Sequence, residues 1–142
     1  MIKKIFNLLI LLILPCVVLA NSTEPTIIDN THMKWIKMPH SVVSYAVLAG
    51  NPKKAEWFIL RVKFPANYNG HVHHHLHHEY DTVISGTAYI AIGKSINKSK
   101  GIAVKAGQFV IIPPNVSHYG WMGNEETIIQ ISGMGPWNPL PN

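Results

Sequence analysis

At 142 residues the chain has room for one domain with a modest hydrophobic core and no second one. Its formal net charge of +5 falls to about +3 without Lys3 and Lys4, and the other lysines are scattered from Lys34 to Lys105, which excludes nucleic-acid binding as the main function. The one cysteine, Cys16, excludes a disulfide framework and a thiolate metal site.

Residues 1–20 read as a signal peptide: Lys3 and Lys4 are followed by an almost unbroken apolar run from Ile5 to Leu19, and Ala20 precedes the polar Asn21. The rival, a retained membrane anchor, needs about 18 to 20 continuous apolar residues. Asn7 and Pro15 interrupt this run, and Pro15 also makes Cys16 a poor lipidation site. Cleavage after Ala20 is therefore expected. It leaves a cysteine-free chain that is periplasmic or secreted and has no membrane association.

From residue 21 onward short apolar or alternating runs are separated by Gly, Pro and Asn, the pattern of many short strands. Residues 21–55 are expected to form a lead-in, flexible as far as Met33, and a first strand at 41–48. A core spans 56–133, with strands at 56–64, 71–75, 79–85, 87–92, 102–105, 109–112, 117–121 and 127–132. The turns between them carry sequences such as Gly93 to Lys100, Ala106-Gly107 and Pro113-Pro114-Asn115. A tail at 134–142, rich in proline, is expected to hold neither helix nor strand. No segment keeps a helical period, so the fold class is all-β, a sandwich or barrel.

Six of the nine histidines fall between Gly70 and Gly86, together with Glu79. Imidazole nitrogen and carboxylate oxygen suit a divalent transition metal such as Zn, Ni, Cu, Fe or Mn, whereas Mg and Ca prefer all-oxygen sets. Side chains two apart on a strand share a face, so His73 and His75 point the same way. Glu79 joins them if the chain stays extended or bends gently, and His118, just after a tight turn, is the candidate fourth donor from a neighbouring strand. His71 and His77 share the parity and are possible accessory residues at a cavity entrance, while His74 and His78 face away. Tyr89, Tyr119 and Trp121 are candidates for either a pocket wall or the core. A triad of Ser117, His118 and Asp81 can be written on paper, but nothing in the spacing favours it.

The chain resembles the cupin superfamily over residues 56–133. His73-x-His75, three residues, Glu79, six residues and Gly86 match the first cupin motif, with Gly70 closer to His73 than the motif places it. Gly107, five residues, Pro113, a turn and His118 match the second, although Asn115 or Pro114 stands where that motif has glycine and its later Asn is missing at Met122. The ending Gly133-Met134-Gly135-Pro136-Trp137 is similar to that of small, exported, single-domain bacterial cupins. The resemblance implies a double-stranded β-helix, or jelly-roll barrel. It also implies one divalent metal held by His73, His75, Glu79 and His118, and commonly a homodimer paired through its sheets.

Two functions are open at this level. One is metal-dependent chemistry on a small oxygen-bearing molecule, of oxygenase, isomerase or lyase type, in which Glu79 is a ligand or also a catalytic acid or base. The other is a non-catalytic periplasmic module that binds or senses a metal or metabolite. Export would favour copper, nickel or zinc, because the ion is then acquired outside the cytosol.

Overall fold

The computed structural model describes residues 24–29, 31–137 and 140–141, so the expected signal peptide lies outside the described residues. Two antiparallel sheets pack face to face. The six-stranded sheet runs β1(Ile36–Lys37), β2(Ser44–Gly50), β3(Trp57–Phe64), β10(Thr127–Met134), β5(Glu79–Ser85) and β8(Phe109–Ile112). The five-stranded sheet runs β11(Leu140–Pro141), β4(His73–His74), β9(His118–Met122), β6(Thr87–Ile92) and β7(Ile102–Lys105). A single 3-10 turn, Lys98–Lys100, is the only helical element among the described residues.

The alternation read from the sequence is the alternation of the fold. On β3, Phe58, Leu60 and Val62 are buried, and on β10 Ile129 and Ile131 meet them from the same side. Val83, Ala88, Val104 and Met122 complete the core between the sheets. Every paired residue between Thr127 and Met134 has its partner on β3 from Phe64 back to Trp57, so the register leaves the inward set no choice of face.

Two positions needed special backbone. Gly86 closes the β5–β6 turn at φ +78, and a Cβ there would stand 2.5 Å from Thr127 Oγ1, which accounts for glycine. Asn115, at φ +59, takes the left-handed conformation in the turn after Pro113 and Pro114, where the second cupin motif has glycine. Asparagine tolerates that region, so the departure from the motif leaves the turn intact.

Three expectations are corrected. The strand at 71–75 shrinks to His73–His74, because the chain bends at Leu76 and His77 to change sheets. A two-residue strand, β1, precedes the expected first strand. The tail is not free of strand: β10 continues to Met134, and Leu140–Pro141 pairs with β4. The backbone N–H of Gly135 donates to Glu56 O at 2.9 Å and that of Trp137 to Pro52 O at 2.6 Å, so the tail is tied to the barrel before it reaches β4.

Candidate metal centre

The change of sheet at residues 75–78 assembles the site. His73 sits on β4 directly opposite His118 on β9, and their rings lie 4.3 Å apart. His75 follows at the end of β4, and Glu79 opens β5 in the facing sheet. One donor atom from each of His73, His75, Glu79 and His118 lies within 4.8 Å of the others. Glu79 Oε2 is 3.1 Å from His118 Nε2 and 3.4 Å from His75 Nε2. Donors each about 2.1 Å from one ion stand roughly 3 to 4 Å apart, so these separations already fit a shared ion.

The imidazoles are oriented from behind. His73 Nδ1 lies 2.8 Å from His71 O, and His118 Nδ1 lies 2.9 Å from Val116 O. A carbonyl only accepts, so each Nδ1 carries the proton and donates, leaving the Nε2 lone pair for the centre. His75 is held differently: the Trp137 indole stacks on it at 3.7 Å with an interplanar angle of 10°. The backbone also closes here, since the Asn115 N–H donates to His75 O at 2.7 Å.

Electrostatics separate the histidines. Burial lowers the pKa of His73, outweighing its bond to His71. Burial acts the same way on His118, but the neighbouring Glu79 carboxylate and the Val116 carbonyl win and raise it above 6.5. Without an ion, then, Glu79 favours the protonated form of His118, and a proton there competes with a metal for one nitrogen. Glu79 Oε2 is buried and, despite these contacts, accepts no well-formed hydrogen bond. A buried carboxylate oxygen in that state is the donor a cation would satisfy.

The quartet lines the wall of a cavity of about 630 Å³, otherwise lined mainly by apolar side chains such as Val62, Phe64, Ile90 and Ile129. No family model and no curated protein matches the sequence. Solved structures do match. The polyketide cyclase RemF from Streptomyces resistomycificus superposes with a TM-score of 0.67 at 15% identity, over 84% of this chain and 85% of its own. KdgF from Halomonas sp. gives 0.63 at 14%, covering 81% and 97%. An RmlC-like cupin from Shewanella frigidimarina gives 0.61 at 16%, covering 80% and 94%.

The chain has the cupin fold.

In this cupin barrel the four residues singled out in the sequence come together, and the accessory ones divide. His71 is exposed and lines the cavity mouth. His77 is exposed at the corner between the sheets and does not line the cavity, because the bend there cancels the strand parity that suggested it. Tyr119 is buried against the cavity, its hydroxyl donating to Asn97 O at 2.9 Å. Tyr89 and Trp121 instead stack on each other at 5.3 Å, outside the cavity.

Two residues of the site were not expected. Trp137 lay in the supposed tail, marked only as part of the Gly133 to Trp137 ending that resembles small exported cupins. Asp81 stands two residues beyond Glu79 on the same inward face and is 6% exposed. Burial, and then the adjacent Glu79, push its carboxyl well above the usual range. Strand parity with Glu79 was the signal that would have found it.

Proposed function

We propose that this cupin holds one divalent transition metal on His73, His75, Glu79 and His118 and uses it on a small oxygen-bearing molecule bound in the cavity. The observation that carries the reading is the convergence of three imidazoles and one carboxylate, all within 4.8 Å, at the wall of a mainly apolar cavity. When bound, such an ion supplies Lewis acidity that polarises a substrate oxygen or lowers the pKa of water. The chain's own residues supply the rest. The carbonyls of His71 and Val116 aim two imidazoles, and Trp137 fixes the third beside a mainly apolar wall. Glu79 offers two carboxylate oxygens, so one can bind while the other moves a proton.

The reading extends to export through residues 1–20, to copper, nickel or zinc as the ion, and to a homodimer. Exposed Trp57, Phe109 and Ile111 on the six-stranded sheet, whose edge strand β8 has no partner on its outer side among the described residues, support that pairing. Light scattering that found only monomer would remove it. A second reading, metal capture without chemistry, is favoured by one observation: His71, His77 and His78 are exposed near the site and offer loose ligands.

The decisive experiment reconstitutes the protein with each metal in turn and follows diols, hydroxy acids and enediols by NMR. Conversion that disappears with chelator, and in a Glu79→Gln variant that keeps its metal, supports catalysis. Tight binding of one ion with no conversion of any compound supports capture.

A further inference from the structure

Of the side chains that line the cavity outside the metal quartet, Asp81 is the one with a buried oxygen that lacks a partner among the described residues. Asp81 lies on β5 with Ile131 of β10 and Val110 of β8 as its strand partners, and it lines the cavity. It is not among the donors grouped within 4.8 Å. No lysine or arginine lines the cavity among the described residues. Its Oδ1 atom is fully buried and has no hydrogen-bond partner. The Asp81 side chain also hydrogen-bonds Glu79, but that contact does not satisfy Oδ1, the oxygen left for a ligand in the cavity.

Position supplies a reason. Asp81 is one strand step from Glu79 on the same face, and so stands beside any molecule whose oxygen reaches the ion. We infer that Asp81 reads the ligand: its Oδ1 accepts a hydrogen bond from a hydroxyl adjacent to the oxygen held at the metal. The preferred class is a small molecule with two neighbouring oxygen-bearing carbons, at least one bearing a hydroxyl, on an otherwise apolar body that fits a cavity of about 630 Å³. This rests on the metal reading above.

The test compares catechol with phenol, which differ by that second hydroxyl, using calorimetry on the full zinc-loaded chain. Wild-type protein binds catechol about fivefold more tightly than phenol, the scale of one net hydrogen bond of about 1 kcal/mol. Asp81→Val, compared in chains that carry zinc, brings the ratio close to one, and Asp81→Asn, which keeps an acceptor oxygen, retains part of it. No preference in wild type, or a preference that survives in Asp81→Val, overturns the inference, because the second hydroxyl then goes elsewhere. Loss of zinc in Asp81→Val overturns it too, making Asp81 a group that holds Glu79 or the ion and not one that reads the ligand. A wild-type chain that takes up no zinc in a preceding titration fails the metal reading instead. The same pair of titrations on ion-free protein then decides the Asp81 contact.

Discussion

His75 and His77 are two residues apart in one histidine run, yet one is 5% exposed beneath a stacked indole and the other stands in solvent. The same contrast divides His73 and His118, paired across β4 and β9, from His78 at the corner. Residue type does not separate the two sets. Strand pairing and a backing hydrogen bond or ring do, because a ligand is a side chain whose orientation has been settled before the ion arrives. His77 keeps its rotamer freedom and would lose it on binding, while His78 stacks on Tyr80 at 5.9 Å, outside the buried centre.

The contrast is broken most directly by exchanging which histidine is removed. His75→Ala is expected to weaken metal binding by more than about 100-fold, beyond the 10–100-fold usual for an outer-shell loss. His77→Ala is expected to leave it within about twofold, and a competition titration measures both. If His77→Ala has the larger effect, the ion belongs to the exposed run. Trp137→Ala comes next. It removes the ring stacked on His75 and packed 5.3 Å from Phe58, costing about 2 kcal/mol or more in urea unfolding, since a fully buried Trp→Ala costs 3–5. It also loosens the metal roughly tenfold. Unchanged affinity would show that the stack does not orient His75.

Asp81→Val sharpens the comparison from the opposite side, since it concerns a buried polar group with an unpartnered oxygen. Removing that carboxyl is expected to stabilise the ion-free protein by about 0.5–1.5 kcal/mol, the desolvation of the unpartnered oxygen less the hydrogen bond to Glu79, read as a higher urea midpoint at unchanged slope. The smallest effect is on pH. His118 has a raised pKa in the ion-free fold, so its stabilisation is fully present below pH 6.5 and is lost as pH rises through the raised value. His73, lowered, makes its contribution below 6.5 with the opposite sign and adds nothing above it. With chelator present, the urea midpoint should fall from pH 6.5 to 8, and His118→Gln should reduce the fall. Metal-loaded protein should instead bind more weakly as pH drops, because the proton takes the same nitrogen.

Much of this was legible in the sequence. Alternation marked β3, β5 and β10 to within two residues, because each has one buried face and one that is mostly half-buried. The quartet was legible because both motifs tie ligands to turns that the chain does form. What failed depended on contacts distant in sequence. The bend at Leu76 and His77 follows from joining two sheets, and no local pattern announced it. The pairing of Leu140–Pro141 with β4 is likewise invisible to propensity, since proline argues against strand unless it lies at an edge. Asp81 was legible in parity but carried no motif.

The central claim is that one buried centre, and not the exposed run, holds the metal. It is tested by elemental analysis of untagged protein purified from its native host, beside a His118→Ala variant. About one ion per chain, absent from the variant, is the result expected. Metal retained without His118, or several ions per chain, would place the binding on the surface histidines and contradict it.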